Sequence, residues 1–448
     1  MGRYIIAVLF GFILLLAPLS AAASRNRITF WTTEAEQDRL TVQKDIARAF
    51  TAKTGIAVQI IPVQENLLRQ KITAAYAARS LPDVVFHPID FTMGWVKQGI
   101  LNTGAATEVV LGLDTRSFGK GPLNLIRVSG GYAAVPIDGW GQLLLYRKDL
   151  FKAHHLAPPD TWEHILKAAE ALHNPPLIWG FDAATDPGQI YTQQVFEHFA
   201  LSNGATLTDA SGTIALNTPA MIQTLAFYKS LVRFSPPGNT YWLHARIDYL
   251  SGRTAMTIWS PYILDELSGL RQDQPVIPDI AKGQPGFLAK NTGFVTIIKG
   301  PGASAQYGQI NYLGITLDAD VAPAKQWIEF LLTDGYLQWL AMAPEGKLPM
   351  RKGTPDEANR FIEGWKTLEF GTTSRARIST FYGSDTVTRI LSGVEGFNRW
   401  GFAAGRGDLI SKIYGTKIVP KILKRFLDGE LSAKEAAALM QKRVEALE

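Results

Sequence analysis

The 448-residue chain contains no cysteine. That excludes a disulfide framework, a thiolate nucleophile and a thiolate metal site. It also excludes the lipidated cysteine that follows the leader of a bacterial lipoprotein. Beyond the first two dozen residues no segment is long and apolar enough to read as membrane-spanning. Long basic runs are missing as well. Lys and Arg are scattered and usually lie near an acid, as in Lys44-Asp45 and Lys148-Asp149, so nothing tracks phosphates and no nucleic-acid partner is expected. The formal charge of +5 therefore reads as a solvated surface. Catalytic signatures are absent too: no His-Glu-x-x-His, no Walker loop and no Gly-x-Ser-x-Gly elbow. His154 and His155 are adjacent, so they cannot present two ligands on one helix face, and no metal or cofactor is expected. Arg406-Gly407-Asp408 is a chance-length match that a turn explains.

What is present begins at the start. Arg3 precedes an apolar run from Ile5 to Ala17, and Ala21-Ala22-Ala23 is a small-residue cleavage signal. This predicts a secretory signal peptide over residues 1–23. The other reading is a retained anchor, but the apolar run is short for a helix that needs about 20 apolar residues to span. The mature product is expected to be periplasmic, unlipidated and monomeric, with a charge of +4 once Arg3 is removed from the total of +5. Its length points to two or three domains.

Strands and helices alternate. Ile28–Trp31 reads as a strand, and Val42, Ile46, Ala49 and Phe50 share a helical face that ends at Gly55. Ile56–Ile61 and Pro82–Phe86 read as strands, with a helix over Leu67 to Tyr76 between them. Tyr132–Pro136 and Leu143–Tyr146 are extended, Asp160 or Thr161 caps a helix, and Thr254–Trp259 and Phe294–Ile298 are strands. Helices are predicted over Ile190–Leu201, Ala220–Val232 and Ala322–Leu332, and Ser432 and Glu435 have capping-box spacing. The pattern is that of an α/β protein with a largely parallel sheet and no long linker.

Four stretches, in their order and spacing, resemble the sugar-type, maltose-binding-protein-like solute-binding proteins of ABC importers. They are Leu81-Pro82-Asp83-Val84-Val85-Phe86; Ala134-Val135-Pro136 with Leu143 to Phe151 and Pro158 to Trp162; Gly252 to Tyr262; and Phe330 to Asp334 with Leu348-Pro349-Met350-Arg351. The resemblance implies a two-lobed periplasmic-binding-protein fold, with an interlobe cleft and three crossovers near Pro136–Gln142, Gly286–Gly293 and Leu340–Pro349. Lobe one would hold residues 24–135 and 294–340, and lobe two residues 136–293 and 341–448. It implies a receptor, not an enzyme, that captures a small hydroxylated solute, a sugar or polyol, and delivers it to a membrane ABC permease. Two alternatives stay open: a secreted glycoside-processing enzyme, for which Asp90 and Asp138 would be the carboxylate pair, and a receptor for a phosphorylated polyol.

The resemblance also nominates ligand-binding residues. His87 and Asp90 follow the third strand, where the family contacts sugar. A carboxylate at Asp90 would accept hydrogen bonds from adjacent hydroxyls, and it reads equally well as a helix N-cap. For His87, which replaces an indole, a strand-end turn weighs slightly more. Asp138 and Trp140 lie in the first crossover, where Gly139 and Gly141 would leave the Trp140 face open. Trp259 and Tyr262 would offer aromatic faces to a pyranose ring, or pack as core. Tyr241, Trp242 and Tyr382 are further candidates, and Glu34 and Glu36 are explained as well by helix capping.

Overall fold

The computed structural model describes residues 26–209, 211–271, 284 and 286–448. The expected signal peptide lies outside the described residues. Strand β1 (Arg27–Thr32) alternates as its sequence demands, with Ile28, Phe30 and Thr32 turned inward. Helix α1 (Gln37–Thr54) follows and buries Leu40, Gln43, Ile46, Ala47 and Phe50; Gly55, at φ 75°, closes it by donating its N–H to the Thr51 carbonyl. Of the face expected from sequence, Ala49 is exposed. Strand β2 (Ala57–Pro62), helix α2 (Glu65–Ala77), strand β3 (Val84–Pro88) and helix α3 (Ile89–Lys97) complete a βαβαβα run, and β3 is buried along its whole length.

Strand β4 (Val135–Gly141) belongs to the same large sheet, whereas β5 (Leu143–Arg147), two residues on, belongs to another. The chain therefore changes sheets at Gln142. Next come helices α4 (Trp162–Ala171), capped by the Thr161 hydroxyl at 3.1 Å from the His164 N–H, α5 (Ile190–Ser202), α6 (Pro219–Val232) and α7 (Trp242–Leu250), then strands β6 (Met256–Trp259) and β7 (Thr292–Val295). The small sheet has the order β6-β5-β7 and is antiparallel throughout. Strands β8 (Ile298–Lys299) and β9 (Ser304–Ile315) return to the large sheet, followed by helix α8 (Val321–Leu331) and strands β10 (Leu348–Pro349) and β11 (Phe397–Asn398). Helices α9 (Gly407–Thr416), α10 (Ile418–Leu427) and α11 (Ala433–Glu445) end the chain, and Ser432 and Glu435 form the capping box before α11.

The large sheet runs β10-β4-β9-β3-β1-β2, with β8 and β11 also pairing on β9. The expected parallel pairing holds for β2-β1-β3, while β9 is antiparallel to β3 and β4. The single strand expected over Phe294–Ile298 is two strands in two sheets. Phe294 and Val295 pair with Leu145 and Leu144, and Ile298 pairs with Ala305. Strand β9, the 12-residue backbone of the large sheet, has no strong period-2 apolar pattern because Gln306, Gly308, Gln309, Asn311 and Gly314 interrupt it.

Candidate functional site

Beside the passage from large to small sheet lies a cavity of about 440 Å³, lined by Trp140, Gln142, Gly188, Gln189, Ile190, Tyr191, Gln194, Trp242, Trp259, Ser260 and Lys417. Its aromatic wall follows from local structure. Strand β6 buries Met256 and Ile258 completely, so Trp259 emerges at the strand end, just before a short turn of helix begins at Pro261. Trp242 is the first residue of α7 and stays 41% exposed. Their indoles lie 6.2 Å apart at 36°, and Tyr191 meets Trp259 edge-on at 5.4 Å. The Tyr191 hydroxyl is spent on the Ile258 carbonyl at 2.5 Å, so that ring contributes surface rather than a hydrogen bond. Trp140 joins from β4. The glycines beside it serve close strand approach: a Cβ at Gly139 would sit 2.4 Å from the Gln309 carbonyl, and one at Gly141 would sit 2.6 Å from Gln306 and Phe397.

Next to this wall is a buried charge cluster. The Lys347 ammonium, with no exposure, lies 2.5 Å from Glu34 and 3.1 Å from Asp138. Asp138 also accepts hydrogen bonds from the Trp339 indole at 2.6 Å and the Asn311 amide at 2.7 Å. Arg39 binds the other Glu34 oxygen at 2.5 Å. Burial alone would push the Glu34 carboxyl up, but Lys347 and Arg39 together hold it below the usual range. Burial pulls the Lys347 ammonium down, and Asp138 and Glu34 more than offset it, so it stays above its ordinary value. Tyr262 stands over this cluster, packed so closely on Gly346 that a Cβ there would fall 1.8 Å from the ring. Burial raises its phenol above the ordinary range.

A second cluster centres on Arg399, which is 1% exposed. It reaches Glu197 of α5 at 3.2 Å, Gln309 of β9 at 2.5 Å, Asp90 of α3 at 3.1 Å and the Tyr414 hydroxyl of α9 at 2.7 Å. One guanidinium thus ties both ends of the chain to the central strand.

The sequence-nominated residues divide accordingly. Trp140, Trp242 and Trp259 come together on the cavity. Tyr241 is the N-cap residue of α7 and packs edge-on against His244 at 4.3 Å. Asp138 and Tyr262 lie in and over the Lys347 cluster. Asp90 is in the first turn of α3, after the N-cap Pro88, and its oxygens are taken by Gln309 at 2.7 Å and Arg399 at 3.1 Å. His87 is fully buried on β3, with Nδ1 at 3.0 Å from the Pro88 carbonyl and its ring edge-on to Trp95 at 4.9 Å. Burial pushes its imidazole down to about 4, so it is neutral. Tyr382 is buried away from the cavity. Its hydroxyl donates to the Leu264 carbonyl at 2.7 Å and accepts from Ser268 at 3.1 Å. Glu34 is an ion-pair partner and no cap, and Glu36 occupies the N-cap position of α1 without a capping bond. Sequence reasoning missed Lys347, Arg399 and Lys417, whose partners or neighbours lie up to 313 residues away. A lysine at Gly346-Lys347-Leu348 and an arginine at Asn398-Arg399-Trp400 carry no local signal beyond their apolar flanks.

Among the described residues no group of three or more His, Asp or Glu side chains could hold a metal ion, and no helix is long and apolar enough to cross a membrane.

Two sheets that share crossovers, with a cavity at their junction, define a two-lobed α/β binding protein. The family model for bacterial extracellular solute-binding proteins matches residues 34–338, and the chain belongs to that family. A protein of Escherichia coli (strain K12) named as the ABC transporter periplasmic-binding protein YcjN is 30% identical over 332 residues, covering 72% of this chain and 73% of that relative. Two solved structures share the fold. A solute-binding protein from Thermotoga lettingae bound with α-D-tagatose has TM-score 0.67 at 18% identity, covering 94% of this chain and 99% of its own. One from Agrobacterium radiobacter K84 in complex with ribitol has TM-score 0.62 at 20% identity, covering 94% and 98%. The chain is therefore an extracellular solute-binding protein of the ABC-transporter type and not an enzyme, which sets aside the glycoside-processing alternative.

Proposed function

We propose that the protein captures a small polyhydroxylated solute, a sugar or polyol, at the lobe junction and presents it to an ABC permease. The cavity walled by Trp140, Trp242 and Trp259 carries this reading. Indole faces suit the C–H faces of a sugar ring, and Gln189, Gln194 and Ser260 line the same space with side chains that make no hydrogen bond elsewhere among the described residues. The solutes in the structural neighbours, tagatose and ribitol, are of the same class. Tyr241 borders this wall. Asp138, Asp90 and Tyr262 act at the junction, where they hold or meet the closed lobes, while His87 and Tyr382 support the scaffold.

Residues 24–135 and 294–340 build lobe one and residues 136–293 and 341–448 lobe two, with β4, β10 and β11 pairing into the large sheet, and the chain works as a monomer. Residues 1–23 direct it to the periplasm and are removed without lipidation, and nucleic acid plays no part. Solute that touches both lobes binds the closed form better and shifts the population toward it. Mass spectrometry of small molecules released on denaturing the purified protein tests the reading. A polyhydroxylated compound that rebinds in calorimetry and compacts the protein in small-angle scattering is expected. Release of none, with no binding across a sugar and polyol panel, overturns it.

A further inference from the structure

The polar groups facing the cavity are unevenly signed. Its lining contains one charged side chain, Lys417, and no carboxylate. The Lys417 ammonium has no ion-pair or hydrogen-bond partner among the described residues. The same holds for the indole N–H groups of Trp140, Trp242 and Trp259. Ammonium and indole are donors only. No acceptor-only group balances them in the lining, so the cavity offers an excess of donors.

The backbone adds to this bias. Helices α5, α7 and α10 all begin on the cavity, at Ile190, at Trp242 and just after Lys417. None has a side-chain cap and none has an acid in its first turn, so their first-turn N–H groups lack the usual side-chain acceptor. The starts of α5 and α7 each bring a partial positive charge, whereas the start of α10 abuts the C-terminal end of α9 at Lys417. Nearby acids other than Asp186 are already matched by cations. Asp186 spends one oxygen on the Gly188 N–H at 2.7 Å, Glu34 and Asp138 hold Lys347 and Arg39, and Asp90 holds Arg399. Lys417 itself sits at φ 54°, a left-handed conformation that a lysine rarely adopts, at the point where α9 turns into α10.

We propose that the solute carries a single negative charge, the carboxylate of a sugar acid, and that Lys417 recognises it. This rests on the reading of the cavity as the solute site. The one whole positive charge in the lining matches one carboxylate, whereas a phosphate monoester carries about −1.5 to −2 at neutral pH and would lean on the helix ends for the rest.

The test is calorimetric titration of the full-length mature protein with matched probes: glucose, glucuronate and glucose 6-phosphate, then galactose and galacturonate. A uronate should bind at least about tenfold tighter than its neutral twin, the scale of one charge-assisted hydrogen bond. The advantage should fall as NaCl rises, vanish in Lys417→Gln and survive in Lys417→Arg. Lys417→Asn, which suits the left-handed backbone, gives a second charge-free variant should Lys417→Gln fold poorly. Equal or tighter binding of neutral twins overturns the inference and leaves the sugar-receptor reading standing. So does an unchanged acid-to-neutral ratio in both charge-free variants. Preference for the phosphate ester over glucuronate overturns the single-charge match. Binding of no probe overturns the inference and leaves the sugar-receptor reading to the released-solute test.

Discussion

Replacing Lys347 with methionine keeps most of the side-chain length and removes its charge. Lys347 is completely buried, 3.1 Å from Asp138 and 2.5 Å from Glu34. Glu34 would keep Arg39 at 2.5 Å. Asp138 would keep its bonds from Trp339 and Asn311 but would lose its cation. Removing one partner of a buried pair costs about 3–5 kcal/mol. An independent bound agrees. The variant can escape by protonating one carboxylate, which from an ordinary aspartate value near 3.9 costs about 4 kcal/mol at pH 7 and about 1.5 at pH 5.

The raised Lys347 ammonium contributes its stability fully below its unfolded value of about 10.4. The wild-type protein therefore keeps that contribution across this range, and the deficit of Lys347→Met should shrink on acidification. Urea unfolding of both proteins at pH 7 and pH 5, followed by far-ultraviolet circular dichroism, measures it. The double variant Lys347→Met/Asp138→Asn should recover much of the loss, because the amide still accepts from Trp339. A loss under about 1 kcal/mol at pH 7, far below the buried-pair range, or one that does not change with pH, would refute the argument.

Trp242→Ala should weaken binding of the recovered solute about 30-fold, the cost of an aromatic anchor of about 2 kcal/mol, with little change in melting, since Trp242 is 41% exposed. Tyr382→Phe should do the reverse, losing about 1 kcal/mol of stability with the Leu264 hydrogen bond and leaving affinity unchanged in calorimetry. Gly346→Ala puts a methyl 1.8 Å from the Tyr262 ring, so the ring must withdraw; a larger radius of gyration in scattering is expected, and an unchanged one speaks against Tyr262 as a closure contact. His87 and His198, both pushed down by burial to about 4 from an ordinary 6.5, are neutral when folded. The unfolded chain takes up their protons first, so the urea midpoint should hold above pH 6.5 and fall as pH drops toward 4.

The legible parts of this protein are those whose cause is local. Gly55 ends α1 because a left-handed cap needs no Cβ, and Ser432 with Glu435 starts α11 because three residues bring hydroxyl and carboxylate to each other's N–H groups. Trp259 reaches the cavity because strand alternation and the turn at Ser260 leave it at an edge. The order of the four family-like stretches gave the two-lobed class for the same reason: each is a short strand or turn with its own signature.

What the sequence alone determined, then, is composition, element types and the aromatic residues that line the cavity. The tertiary structure decided which charges meet. Lys347 finds Glu34 across 313 residues and Asp138 across 209, and Arg399 finds Asp90 across 309. It decided that Asp90 is satisfied within the protein, that His87 and Tyr382 are core, and that Lys417 lies on the cavity while its own neighbours in sequence lie in helices. The physical reason is that a backbone preference is set by residues a few positions apart, whereas an ion pair or a cavity wall requires side chains from several elements at one place. That placement comes from the packing of two sheets about the crossovers, and no local pattern encodes it.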